Sequence, residues 1–127
     1  MLTLSKEEVF KTIYEVLNVP DITTCYLFGS YGTEDFNEFS DIDIAVITDL
    51  NFCELGEYQE ILEEKLGIEV DLVNVYSLPK IIQLQIAAMG TFVFIKDEDK
   101  LDEFLDKVDY WYKTDFRIWK ANYEEDY

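Results

Sequence analysis

Stretches with the period of a helix alternate with short β-prone stretches along almost the whole chain, and this alternation confines it to an α/β architecture. Ser5 opens a first helix with Glu8 in capping-box position; Val9, Phe10, Ile13, Val16 and Leu17 share one face, and Pro20 lies beyond its end. Thr23 to Phe28 reads as a strand broken by Gly29, and Asp41 to Thr48 as a second strand. Asn51 to Leu66 reads as a helix with Leu55, Tyr58, Ile61, Leu62 and Leu66 inward and Gly67 closing it. Ile68 to Val75 is a third strand. Leu78 to Met89 is a helix with Pro79 in its first turn, and Thr91 to Lys96 is a fourth strand. Asp97 or Asp99 caps a last helix running to about Asn122. At 127 residues the expectation is one domain, residues 1–127, with 99–127 as a C-terminal helix and an aromatic, acidic tail.

The chain contains no histidine, which removes the Ser-His-Asp triad, the Cys-His dyad, His-ligated zinc and any His general base. Catalysis here must run on carboxylates, hydroxyls, lysine, cysteine or a metal held by oxygen. The net charge of −18 opposes binding to nucleic acid and to anionic membranes and favours a basic partner or cations. Cys25 and Cys53 form no CxxC motif and read as free thiols in a reducing cytosol. The start, MLTLSKEEVF, has neither the basic region nor the apolar run of a signal peptide, and no stretch has the length of a membrane span, so a cytoplasmic location is expected.

The informative stretch runs from Gly29 to Asp43. Asp41 and Asp43 stand two apart at the start of a strand, so both side chains leave one face with Cα atoms about 6.6 Å apart. Such a pair suits one hard divalent cation, with Mg²⁺ the expected choice. Two solvated acids at a strand edge would read the same way. Gly29-Ser30 lets backbone N–H groups approach a phosphate, and an ordinary strand-to-loop break would also read so. The conjunction is more telling: Gly-Ser, ten residues, then Asp-x-Asp arises by chance in this composition on the order of once in a thousand chains. Asp71 adds a third carboxylate amid β-formers, with Glu69 on the same face; both acids outward on a half-exposed strand is the plainer alternative. Three strand-borne carboxylates beside a phosphate loop suit two-metal phosphoryl-type transfer, with Asp71 also placed to take a proton.

Gly29-Ser30, the ten-residue gap, Asp41-Ile42-Asp43 and Asp71 resemble the signature of the DNA polymerase β-like nucleotidyltransferase superfamily. The short length and the segment LPKIIQLQIAAMGTFVFIKD resemble the minimal nucleotidyltransferases, antitoxins encoded beside HEPN-fold ribonuclease toxins. The resemblance covers about residues 5 to 110. It implies a small mixed sheet flanked by helices with a long C-terminal helix. It further implies an adenylyltransferase that uses ATP and Mg²⁺ to transfer AMP to a tyrosine of a basic, helical HEPN toxin, with which it would form a hetero-oligomer. Asp41, Asp43 and Asp71 would be the catalytic, metal-holding residues, and Gly29 and Ser30 would bind nucleotide. One departure stands out. Relatives commonly carry Arg and Gly after Gly-Ser, whereas this loop reads Tyr31-Gly32-Thr33-Glu34-Asp35, with no base. Lys80 is one substitute for nucleotide binding; a solvent-facing lysine is the alternative. A decayed antitoxin acting by contact alone, or a transferase acting on a small molecule, are the competing functions.

Seven aromatics crowd the stretch from Tyr110 to Tyr127. Leu101, Phe104, Leu105, Val108, Trp111 and Tyr112 follow helical spacing toward a core. A helix from Asp99 to Asn122 would be roughly 36 Å long, more than a small domain covers. Phe116, Arg117, Trp119 and Tyr123 are therefore expected at a partner interface, with core packing as the alternative, and Glu124, Glu125 and Asp126 would complement a basic toxin.

Overall fold

The computed structural model describes residues 5–29 and 42–124. Its elements follow in the order α1 (Lys6–Leu17), β1 (Ile22–Phe28), β2 (Ile42–Thr48), α2 (Phe52–Leu66), β3 (Val70–Asn74), a 3₁₀ turn (Val75–Ser77), α3 (Lys80–Met89), β4 (Thr91–Ile95), α4 (Glu98–Thr114) and α5 (Phe116–Glu124). The strands form one mixed sheet in the order β3-β2-β1-β4. β1 is antiparallel to both β2 and β4, and β2 runs parallel to β3, with α2 as the crossover.

Helices cover both faces. On one face α1 (Val9, Ile13, Leu17) and α2 (Leu55, Leu62, Leu66) pack on Cys25, Leu27, Ile42, Ile44 and Val46. On the other, Ile86 of α3 and Leu101, Phe104 and Val108 of α4 pack on Tyr26, Ala45 and Ile47. Ile22 and Cys25 share a face although three residues apart, because the β1–β2 register shifts between Ile22 and Thr24.

Local chemistry sets the helix ends. Ser5 accepts the Glu8 N–H at 3.2 Å. At Asn51 a reciprocal capping box closes with Glu54, through Glu54 N to Asn51 Oδ1 at 2.8 Å and Asn51 N to Glu54 Oε1 at 3.3 Å. Asp97 caps α4 through the Lys100 N–H at 3.1 Å. Four expectations are corrected. The third strand stops at Asn74, whose side chain accepts the Tyr76 N–H and turns the chain into the 3₁₀ turn. Ile61 and Tyr112, read as inward, are exposed, since each lies at the border of its helix's apolar stripe. The last helix is two helices parted at Asp115, whose N–H still reaches Trp111 O at 2.8 Å.

Two helix-associated glycines differ in surroundings. A Cβ at Gly56, within α2, would meet nothing within 4 Å, whereas one at Gly90 would press Ile86 O at 2.6 Å and Tyr26 Cδ1 at 2.9 Å. Gly56→Ala is expected to raise stability by about 0.5–1 kcal/mol, and Gly90→Ala to lower it by about 1–3 kcal/mol. Urea unfolding curves of the two variants check both signs.

Candidate active site

β1 ends where the backbone turns left-handed. Gly29 has φ 80°, a conformation that L side chains adopt only under strain. A Cβ there would collide with Oδ2 of Asp43, so the Asp43 carboxylate lies directly against the Gly29 backbone. The antiparallel register pairs Phe28 with Asp43, and the parallel register pairs Asp43 with Asp71. Residues level with one another on neighbouring strands point to the same face. Asp43 and Asp71 therefore stand side by side, Asp43 half-buried and Asp71 exposed. Ile42 and Ile44, on the opposite face, are fully buried, as the sequence alternation requires.

This arrangement has an electrostatic cost. Two carboxylates roughly 5 Å apart repel by about 1 to 3 kcal/mol between bulk water and a protein surface. A divalent cation converts that repulsion into attraction, and hard carboxylate oxygens are the donors that Mg²⁺ takes. The two carboxylates have the donor chemistry for such an ion, and among the described residues no third acidic side chain or cysteine joins them in one group. Asp41 and Ser30 lie outside the described residues, as does the loop Tyr31 to Asp35.

Gly29 also borders a cavity of about 710 Å³ between the end of β1 and α3. Its walls are largely apolar, with Leu27, Phe28, Ile82 and Met89, and Lys6 of α1 stands at its edge. Lys80 lies elsewhere. It borders an open trough on the outer side of α4, with Asp99, Asp102, Asp106 and Tyr110. The structure thus brings Lys6, rather than Lys80, to the Gly29 cavity. No spacing signal links Lys6 to Gly29 in the sequence, because the packing of α1 beside the end of β1 is what brings them together.

Phe116 is half-buried against α4, stacked on Tyr112 with ring centroids 5.0 Å apart and edge-on to Trp111 at 5.7 Å. Arg117 and Ile118 are exposed. The side chains of Trp119 and Tyr123 lie outside the described set.

Residues 11–99 match the family model described as Polymerase beta, Nucleotidyltransferase. The chain belongs to this family. It is 30% identical over 101 residues to the protein adenylyltransferase MntA of Shewanella oneidensis, covering 78% of this chain and 71% of that protein. It is 38% identical over 76 residues to a putative protein adenylyltransferase of Methanocaldococcus jannaschii, covering 57% of this chain and 70% of the relative. Among solved structures, a chain of a toxin–antitoxin complex with AMP-PNP superposes with a TM-score of 0.77 at 28% identity, over 91% of this chain and 96% of that one. A second, tri-AMPylated Shewanella oneidensis HEPN toxin in complex with MNT antitoxin, gives 0.76 at 26% identity, over 95% and 98%. The mixed sheet and the long α4 are those of a polymerase β-like nucleotidyltransferase.

Because Gly29 is both left-handed and in contact with Asp43, Gly29→Ala is expected to lose about 1–2 kcal/mol of stability and to displace the Asp43 carboxylate. AMP transfer should fall at least tenfold at a temperature where the variant remains folded by circular dichroism.

Proposed function

We propose that this chain is an antitoxin adenylyltransferase that transfers AMP from ATP to a tyrosine hydroxyl of a cognate HEPN-fold ribonuclease toxin and so neutralises it. The observation that carries this reading is the parallel register of Asp43 and Asp71 beside the left-handed Gly29, in a member of a family whose relatives include protein adenylyltransferases. In the reaction, the tyrosine oxygen bonds to the α-phosphorus of ATP, the bond to the bridging β-phosphate oxygen breaks, and pyrophosphate leaves. Gly29 and Ser30 hold phosphate oxygens through backbone N–H groups and the Ser30 hydroxyl. Asp71, exposed at the site, takes the proton from the attacking hydroxyl. Asp41, Asp43 and Asp71 would hold Mg²⁺, which supplies charge stabilisation to the phosphates during in-line displacement.

A toxin partner agrees with the net charge of −18, which favours a basic surface. Among the described residues no helix is long and apolar enough to cross a membrane; the proposed place of work is the cytoplasm, as a hetero-oligomer with the toxin. Arg117, Trp119 and Tyr123, with the part of Phe116 left open by its stacking on Tyr112, form the proposed interface. A second reading, inhibition by contact alone, is favoured by one observation: no Lys or Arg occurs between Lys11 and Lys65.

The experiment that separates the two uses α-labelled ATP, Mg²⁺ and purified toxin. Label should pass to the toxin and its ribonuclease activity should fall in step. Asp41→Asn combined with Asp43→Asn should abolish transfer and leave the fold intact, since removing like charges from a cluster relieves repulsion. Asp71→Asn should lower the transfer rate by orders of magnitude with little change in ATP affinity. Neutralisation by the double variant equal to that of the wild type would favour contact alone.

Removal of residues 116–127 should weaken the toxin complex far more than it lowers the melting temperature, and Trp119→Ala should cost about 2 kcal/mol of binding. Titration calorimetry beside thermal melts checks this pair. A truncation that unfolds the chain would make these aromatics part of the core.

A further inference from the structure

The nucleotide carries several negative charges into a protein of net charge −18, yet the loop that follows Gly29-Ser30 contains no base. Beyond a metal ion, a side-chain counter-charge would have to come from another part of the chain. All ten Lys and Arg residues lie among the described residues. Lys107 pairs with Glu103 at 3.0 Å, Lys113 with Asp109 at 2.8 Å and Lys100 with Asp49 at 3.7 Å. Lys96 donates to Val19 O at 2.6 Å. Lys80 borders the acidic trough on α4. Arg117 and Lys120 lie on α5, Lys65 in the last turn of α2, and Lys11 further along α1. Lys6 is the one cation that lines the cavity containing Gly29, and the only charged residue in its wall among the described residues.

The remainder of that wall has the character of a nucleobase site. At about 710 Å³ the cavity falls within the range of small-molecule pockets. Ile82 and Met89 offer apolar surface for a flat ring, and Gln85 brings an amide with both donor and acceptor. Lys6 also precedes the residues, 11–99, that match the family model, so it is not part of the signature read from the sequence.

We propose that this cavity receives the nucleotide, with its base against the α3 wall and its phosphates toward Gly29, and that Lys6 is the positioning cation that replaces a basic loop. The inference rests on the adenylyltransferase reading and deepens it. A charge-assisted contact of this kind strengthens binding without entering the bond-making step.

The test is calorimetric titration with AMP-PNP in the presence of Mg²⁺, and with adenosine, on the full chain, with melting temperatures recorded alongside. Lys6→Gln is expected to weaken AMP-PNP roughly tenfold, about 1.4 kcal/mol, and to leave adenosine unchanged. Lys6→Arg should restore affinity to within about twofold of the wild type. Lys11→Gln, which removes the same charge about one and a half turns further along α1, should change neither ligand. In the transfer assay Lys6→Gln should raise KM for ATP and retain kcat. Ile82→Trp should weaken both ligands by filling the apolar wall. Equal AMP-PNP affinity in Lys6→Gln and wild type, or equal weakening of AMP-PNP and adenosine, overturns the role of Lys6. Unaltered binding of both ligands by Ile82→Trp overturns the cavity as the base site. A wild-type chain that binds no AMP-PNP overturns this inference and the adenylyltransferase reading together; a wild type that transfers AMP while Lys6→Gln matches it overturns this inference alone.

Discussion

The central strand β2 is buried from both sides, and the rest of the molecule is arranged around that fact. Ile42, Ile44 and Val46 are sealed by α1 and α2, and Ala45 and Ile47 by α3 and α4. A strand in that position admits a carboxylate only where the covering layer ends, because an uncompensated charge inside the core would cost several kcal/mol. Asp43 sits at the start of β2, level with the last residue of β1. The site lies where the double burial stops. Its position is a consequence of the core, and its rigidity comes from the same ladders that hold the core together.

Parallel pairing then does what antiparallel pairing at the same edge would not. The α2 crossover returns the chain so that β3 starts beside the start of β2, which sets Asp71 level with Asp43. The capping box at Asn51 and the left-handed Gly67 define the two ends of α2, and so where β3 begins. A shift of β3 by one residue would turn Asp71 to the opposite face and put Val70 or Leu72 beside Asp43. Val70 and Leu72, both buried, hold the register against such a slip.

Charge is unevenly used. The ion pairs of α4 are exposed i, i+4 pairs that add little to stability, and the acids of the trough near Lys80 leave that lysine in acidic surroundings. Among the described residues the wall of the cavity beside Gly29 differs, being largely apolar with one cation, Lys6.

The alternation of helix and strand periods, the capping signal at Ser5, a cap for the last helix at Asp97 or Asp99, and the spacing of Gly29-Ser30 from Asp41-Ile42-Asp43 are local properties, and the sequence by itself determined them; the structure selects Asp97 and adds the capping box at Asn51. It also determined which side of β2 faces the core at Ile42 and Ile44, because side-chain alternation along a strand needs no knowledge of partners. Tertiary structure decided what depends on distant segments meeting. The level pairing of Asp43 with Asp71, the contact of Asp43 with Gly29, and the choice of Lys6 over Lys80 for the Gly29 cavity all follow from strand order and helix docking. Periodicity reports which face of an element is apolar. It carries no information on which other element will cover that face, so ends of elements far apart in sequence become neighbours only when the core forms.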